Sequence, residues 1–254
     1  MKKLIIGNWK LNPTSLAEAK KLQIKIRQKI SGLRNVQVAI CPPTVYLSAL
    51  STGRAKAVLA LGAQEVFWQA DGAYTGQTSP LALKDLGANL VIIGHSEQRA
   101  LGETDDLVNQ KIKAVLDYGL RPLLCVGEKE RDDSGHYLAQ IKRQLEDGLD
   151  KVPKKAPDKL IIAYEPVWAI GKNALGVETP EGFLQHALFI RKTLSVMFGQ
   201  KEAAKLPILY GGSVSIKNAE TFLRQGQADG LLVGRESLDS VNFSAIAKLV
   251  NQNK

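Results

Sequence analysis

Residues 160–176 read LIIAYEPVWAIGKNALG. The stretch begins as a continuous apolar run and stops at Glu165, which is followed at once by Pro166 and soon after by Trp168. An apolar run without alternating polar residues is typical of a parallel strand that is covered on both faces. The sequence therefore places a carboxylate at the end of a buried strand, next to a proline that restricts the backbone.

Other short runs rich in Ile, Val and Leu occur along the whole chain. The predicted strands are residues 4–7, 36–41, 58–61, 90–93, 122–126, 160–164, 207–210 and 231–233. The segments between them have helical periodicity, clearest in residues 16–30 and 105–118, and Thr104 is a suitable N-cap for the second. Regular alternation predicts parallel βαβ units.

The number of strands favours a closed α/β barrel, (β/α)8, as a single domain of residues 1–254. A doubly wound sheet is the alternative. It usually has fewer strands and a glycine-rich first turn, whereas the first strand here leads into Asn8-Trp9-Lys10.

Composition excludes several classes of protein. The chain has 254 residues, 44% of them hydrophobic, and a net charge of +9. No apolar run is long enough for a signal peptide or a membrane span, so we expect a cytoplasmic protein without a membrane partner. Cys41 and Cys125 lie in apolar runs and are expected to be buried and unpaired. The densest basic cluster, residues 151–159, has no aromatic residue to stack on a base, so we expect no nucleic-acid partner.

In a (β/α)8 barrel the active site is built from the loops at the carboxyl ends of the strands. The first strand is followed by Asn8 and Lys10, the fourth by His95 and Glu97, and the sixth by Glu165. Glycine-rich turns at residues 211–213 and 234–235 follow the last two strands, where barrels often bind phosphate. These ends combine a base, a neutral donor and a cation on one rim.

Metal chemistry fits these residues poorly. His95 and Glu97 form an H-x-E pattern, but no C-x-x-C follows to complete a zinc site, so we predict no metal ligand. A nucleotide cradle of the G-x-x-x-x-G-K type is also absent. The predicted strand interiors contain no lysine, which argues against a Schiff-base aldolase.

With these motifs in order over its whole length, the chain closely resembles the triosephosphate isomerase family. The matching segments are GNWK (7–10), GAYTG (72–76), GHSE (94–97), CVGE (125–128), AYEPVWAIG (163–171), YGGSV (210–214) and DGLLVG (229–234). The resemblance implies a TIM barrel and the interconversion of dihydroxyacetone phosphate and D-glyceraldehyde 3-phosphate through an enediolate, in glycolysis and gluconeogenesis and without a cofactor. The alternatives are another phosphosugar barrel enzyme, such as an epimerase or a lyase, or a non-catalytic relic of the fold that binds a ligand.

The resemblance also implies a role for each residue of the rim. Glu165 is expected to be the base, with a pKa raised by apolar neighbours, and His95 to be a neutral donor to the developing oxyanion. Lys10 and Asn8 are expected to stabilise negative charge, and Glu97 to hold its polar neighbours in position. The phosphate is expected to bind at backbone N–H groups; these belong to Gly171, Ser213, Gly234 and Arg235.

In the family, the segment that follows Glu165 is a lid over the substrate, and Pro166 and Trp168 belong to its first hinge. The usual A-I-G-T-G-K lid is about two residues longer here, and residues 172–177 depart from its tip. Arg235 stands where glycine is common, which is compatible with N–H donation if its φ need not be positive.

The resemblance further implies a homodimer, with Thr75, Gln77, Gln98 and Glu65 at the interface. Gln77 and Gln98 replace a usual Glu and Arg that pair between subunits, so we expect a neutral pair in their place. Glu65 stands where a neutral residue is commoner, and no lysine or arginine lies within five residues of it. We expect Glu65 to be partly buried without a cation, and its pKa to be raised.

Overall fold

The computed structural model describes residues 2–51, 58–132, 134–171 and 174–251. Its strands form one closed barrel in the order β1-β2-β3-β4-β5-β6-β7-β8, with every neighbouring pair parallel and β1 paired to β8. The strands are β1 Lys3–Asn8, β2 Val36–Cys41, β3 Leu59–Ala63, β4 Ala88–Ile93, β5 Arg121–Val126, β6 Ile161–Tyr164, β7 Ile208–Tyr210 and β8 Gly230–Val233. The prediction of a closed (β/α)8 barrel is confirmed.

All of the predicted strands are present, and only their ends differ. The second matches residues 36–41, whereas the third begins at Leu59 and continues through Gly62 and Ala63. These two small residues extend the strand because they pair with Leu90 and Val91 of β4. The end of a strand thus depends on hydrogen bonding to the neighbouring strand, which the pattern of hydrophobic residues along the chain does not predict.

Helices surround the barrel. They are α1 Leu16–Ile30, α2 Leu47–Leu50, α3 Pro80–Asp85, α4 Ser96–Ala100, α5 Asp105–Asp117, α6 Tyr137–Gly148, α7 Pro180–Phe198, α8 Gln200–Ala203, α9 Ile216–Arg224 and α10 Ser240–Asn251. The prediction of a helix over residues 16–30 is confirmed. Thr104 caps α5 as predicted, because its Oγ1 accepts the N–H of Leu107 at 3.3 Å.

The core has two layers, which follow from the alternation of side chains along each strand. One layer fills the barrel interior and includes Leu4, Ile6, Leu123 and Ala163. The other lies between the barrel and the helices. It contains the strand residues that alternate with the inward ones, such as Ile5 and Leu124. Two steps beyond an inward residue the chain again faces inward. Asn8 and Glu165 therefore point into the mouth of the barrel.

The two cysteines are buried and free, as predicted. Cys41 and Cys125 both pack in the barrel interior. Across the described ranges, no helix is long and apolar enough to cross a membrane. The same residues contain no group of three or more His, Cys, Asp or Glu side chains that could hold a metal ion.

Candidate active site

A cavity of about 440 Å³ opens at the carboxyl ends of the strands. The predicted catalytic and phosphate-binding residues line it, with the exception of Glu97; they are Asn8, Lys10, His95, Glu165, Gly171, Ser213, Gly234 and Arg235. They come from five different strand ends and are brought together by closure of the barrel. Ile170 and Leu232 add apolar surface to the same cavity.

The carboxylate of Glu165 lies at the bottom of the cavity and is only 2% exposed. Its Oε1 is 3.1 Å from Nε2 of His95, and its Oε2 accepts the backbone N–H of Ser96 at 3.1 Å. Both partners stand at the end of β4, which only β5 separates from β6 around the barrel. The candidate base and the candidate acid are therefore in direct contact.

The expectation that apolar surroundings raise the pKa of Glu165 is wrong for this arrangement. Burial does raise the pKa, but the attraction and hydrogen bond of His95 and the N–H of Ser96 outweigh it, and the pKa lies below its ordinary value. The sequence shows the apolar neighbours but not these two donors, which lie some 70 residues away.

His95 is held as the Nε2–H tautomer. Its Nδ1 accepts the backbone N–H of Glu97 at 3.2 Å, which an unprotonated Nδ1 alone can do, so the remaining proton is on Nε2. Burial lowers the pKa of His95, but the Glu165 carboxylate beside it more than offsets this, and the net pKa lies above its ordinary value.

Lys10 has a strained backbone that is fixed on both sides. Its φ is +52°, a backbone conformation that residues other than glycine rarely adopt. Its N–H donates to Oδ1 of Asn8 at 3.1 Å, and its carbonyl accepts from the side chain of Gln64 at 2.8 Å. The Nζ atom contacts Oε1 of Glu97 at 2.5 Å. Glu97 thus lies outside the cavity lining, and its carboxylate contacts the site at Lys10.

The other end of the cavity is built from backbone groups of the last two strand ends and of the lid. Gly171 has a φ of +82°, in the region that favours glycine, and Ser213 donates its hydroxyl to the carbonyl of Ala169 at 2.9 Å. Arg235 begins a short 3-10 helix, Arg235–Leu238, and does not have a positive φ. Arginine at this position is therefore compatible with a backbone N–H donor.

The first hinge of the lid is a 3-10 turn, Val167–Ala169. The indole of Trp168 donates to Glu128 at 2.8 Å, and the carbonyl of Trp168 accepts the N–H of Leu175 at 2.7 Å. The two residues that carry most of the departure from the usual lid tip, Lys172 and Asn173, lie outside the described residues.

The predicted interface residues lie away from the cavity. Thr75 and Gln77 are exposed on the loop that follows β3, and Gln98 is half-buried in α4. The expectation that Glu65 lacks a cation is wrong, because its Oε1 lies 2.7 Å from Nζ of Lys111 in α5. This partner is 46 positions away in sequence and reaches Glu65 only through the packing of α5. Burial nevertheless raises the pKa of Glu65, as expected, and together with the nearby charge of Glu103 it outweighs the lowering effect of Lys111.

The family model described as triosephosphate isomerase matches residues 3–250. This chain belongs to the triosephosphate isomerase family. Its curated relatives include the triosephosphate isomerase of Dictyoglomus thermophilum, 41% identical over 97% of this chain and 99% of the relative. That of Dehalococcoides mccartyi is 43% identical over 99% of this chain and 98% of the relative. A solved structure of triosephosphate isomerase from Bartonella henselae superposes with a TM-score of 0.85 at 35% identity, covering 98% and 99% of the two chains.

As a member of the triosephosphate isomerase family, the chain is an enzyme, an aldose–ketose isomerase that acts on a triose phosphate. Two features of its site were not predicted from sequence. Gln64 fixes the strained backbone of Lys10, and Gly127 allows β5 to approach Glu165, since a Cβ there would overlap the carbonyl oxygen of Glu165. Both stand at strand ends, and that position was the signal available to find them.

Proposed function

We propose that this chain interconverts dihydroxyacetone phosphate and D-glyceraldehyde 3-phosphate through an enediolate, without a cofactor. The observation that carries the proposal is the contact between Glu165 and His95, at 3.1 Å, in a cavity whose other end is lined by backbone of Gly171, Ser213 and Gly234. A base, an acid and an anion site in one cavity suit proton transfer next to the carbonyl of a small phosphate ester.

Glu165 removes a proton from C1 of dihydroxyacetone phosphate, and the electron pair moves to the oxygen of the C2 carbonyl. Transfer of the C1 hydroxyl proton to the C2 oxygen, together with return of the abstracted proton to C2, yields the aldehyde. In the present arrangement the carboxylate accepts from Ser96 and His95, so it must leave both donors to reach a substrate. Leaving them removes the hydrogen bonds of His95 and Ser96 that lower its pKa, while burial and the apolar side chain of Ile170 remain, so its basicity rises as substrate binds.

His95 supplies the hydrogen bond to the developing oxyanion. The Nε2–H tautomer directs its proton into the cavity, and the Glu97 N–H on Nδ1 holds the ring in that orientation. Lys10 adds a fixed positive charge, and its strained backbone, held by Asn8 and Gln64, keeps the amine at the rim.

The phosphate binds at N–H groups of Gly171, Ser213, Gly234 and Arg235. Two glycines in this set permit close approach of the backbone, and the lid segment contributes Gly171. Closure of the lid excludes water and protects the enediolate from losing its phosphate.

We further propose a cytoplasmic homodimer built from single-domain chains of residues 1–254. A dimer is supported by large apolar residues exposed on the loops after four adjacent strands. Leu11, Val45 and Leu101 are each at least 80% exposed, and Tyr74 lies on the loop with Thr75 and Gln77. Two free buried cysteines agree with a reducing compartment. Both ends of the chain contribute strands to one barrel, which supports a single domain.

A coupled assay on each triose phosphate, with the product identified, tests the proposal. We expect each substrate to give the other and no epimer or cleavage product. In deuterated water, the recovered aldehyde should carry deuterium at C2, because the enediolate exchanges its proton through Glu165. Formation of a different sugar phosphate, or turnover that depends on an added metal ion, would contradict the assignment.

A further inference from the structure

Five side chains between the two ends of the lid form one hydrogen-bonded group. We call it the hinge cluster, and it consists of Glu128, Arg131, Tyr164, Trp168 and Glu178. None of the five lines the substrate cavity. The group nevertheless joins the residue before the base, Tyr164, to both ends of the segment that follows it.

The first end of the lid enters the cluster through Trp168. Its indole N–H donates to Oε1 of Glu128 at 2.8 Å, and the guanidinium of Arg131 lies over its ring at 4.4 Å. The ring also packs on the second half of the lid, since a Cβ added to Gly176 would come within 2.7 Å of it. A cation over an indole face is the strongest of the common cation–π contacts.

The second end enters through Glu178. Its Oε2 pairs with Nη2 of Arg131, and the same nitrogen donates to the hydroxyl of Tyr164 at 2.8 Å. The other oxygen, Oε1, accepts the N–H of Thr179 at 2.9 Å, directly before α7. Arg131 therefore contacts Trp168 on one side and Glu178 on the other.

Burial makes this geometry difficult to change. Glu128 is fully buried and Glu178 is 4% exposed, so two carboxylates share one guanidinium inside the protein. A buried carboxylate that loses its cation is strongly destabilised, and each must therefore stay close to Arg131. Nε of Arg131 contacts Glu128 at 2.9 Å, which leaves the guanidinium little freedom to serve one carboxylate without the other.

We propose that Arg131 and Glu178 are positioning residues of the isomerisation, and that they hold the two ends of the lid segment together across the hinge cluster. Because the cluster includes Tyr164, it also sets the backbone from which Glu165 extends. Trp168 stands three residues after Glu165 and three before Gly171, so one anchor determines how both groups meet the substrate. This inference rests on the proposed function.

The test compares Glu178→Gln, Arg131→Met and the double variant with the parent enzyme. Glu178→Gln keeps the shape of the side chain but removes its charge. We expect each single variant to lose up to about 10²-fold in kcat/KM, with kcat and KM both altered, because a small misplacement of catalytic groups has effects of that size. The double variant should lose little more than the worse single variant, since both act through one contact. Arg131→Lys should retain more activity than Arg131→Met.

Asp229→Asn is a matched control. Asp229 pairs with Arg191 at 3.1 Å and at similar exposure to Arg131, but it precedes β8 at the opposite end of the barrel. We expect this variant to lower Tm while leaving kcat and KM as in the parent. Circular dichroism at the assay temperature verifies that every variant is folded.

Trp168 provides a second readout that does not depend on turnover. Its emission, identified by difference from Trp168→Phe, should change in Arg131→Met and Glu178→Gln and remain unchanged in Asp229→Asn. A folded Glu178→Gln with kcat/KM within twofold of the parent would overturn the proposal, as would strictly additive losses. If the parent itself does not isomerise triose phosphate, the proposed function fails. The emission of Trp168 then tests separately whether Arg131 and Glu178 hold the ends of the lid segment. Unchanged emission in both single variants would reject that role.

Discussion

The carboxylate of Glu165 needs different surroundings when it acts as a base from those it has in this structure. Here it accepts from Ser96 and lies against Nε2 of His95, which lowers its pKa. A carboxylate with these donors is a weak base. Its movement toward the substrate is therefore part of the chemistry, because basicity is gained when those donors are left behind.

Replacing Glu165 by Gln keeps the size of the side chain and removes the base. We expect kcat to fall by about 10²–10⁴-fold, the usual effect of general-base removal, and Tm to change by only a few degrees. Glu146→Gln, an exposed residue of α6 that pairs with Lys142, is the charge-matched control and should retain full activity. Steady-state kinetics would rule out Glu165 as the base if the variant stayed within threefold of the parent.

Replacing Lys10 by Met removes the cation at the rim and keeps an unbranched apolar stem. We expect kcat/KM to fall by about 10²–10³-fold, because one electrostatic donor to a developing charge contributes an effect of this size. Binding of an anionic phosphate ester, measured by calorimetry, should weaken as well. Lys142→Met is the control on the exposed face of α6. Equal affinity of the Lys10 variant and the parent for the ester would mean that Lys10 does not face the phosphate.

At the scale of elements, α5 is linked to the end of β3 through charge. Lys111 of α5 contacts both Glu65 and Glu103. One ammonium shared by two carboxylates leaves a net negative charge in a largely buried group. Burial, with a further contribution from the charge of Glu103, raises the pKa of Glu65 even though a cation is present.

Replacing Glu65 by Gln is expected to raise Tm, and more so at pH 8 than at pH 4. A raised folded-state pKa means that Glu65 contributes stability below its unfolded pKa, about 4.3, and that this contribution is lost as pH rises through the folded pKa. Gln cannot ionise, so the free-energy cost of burying a charged side chain at position 65 is removed. Lys111 remains paired with Glu103. The gain at pH 8 should be on the order of 1 kcal/mol, with unchanged kcat.

Lys111→Met provides the opposing measurement. It leaves two carboxylates without their cation and should destabilise the protein by about 3–5 kcal/mol at neutral pH. Thermal unfolding of both variants across pH shows whether the cost of burying Glu65 exceeds its attraction to Lys111. A Tm of Glu65→Gln that falls below the parent at pH 8 would show that the pair with Lys111 outweighs the cost of burying Glu65.

At the scale of the whole molecule, the apolar loops on one side of the barrel mouth are unfavourable in a monomer. Val45 and Leu101 are each at least 80% exposed and follow β2 and β4, the two strands that flank β3. Side chains of this size expose enough apolar surface in water to favour association.

We expect sedimentation to give a mass of two 27.7 kDa chains at micromolar concentration, and Tm to rise with protein concentration. Val45→Lys should shift the equilibrium toward monomer. Val196→Lys, at an equally exposed position on α7, should leave the dimer intact. A parent that sediments as one chain, or a Val196 variant that dissociates as readily as the Val45 variant, would contradict the proposed interface.

The sequence by itself determined the barrel and most of the site. Apolar runs of strand length alternating with amphipathic helices have few other solutions, and closure places every strand end on one rim, so Asn8, Lys10, His95 and Glu165 were predictable as neighbours. The tertiary structure decided the environment of each group. The N–H of Ser96 on Glu165, Lys111 beside Glu65, and Arg131 between Trp168 and Glu178 are contacts between elements far apart in the chain. A pKa and a hinge depend on such contacts, because charge and hydrogen bonding act through space rather than along the sequence.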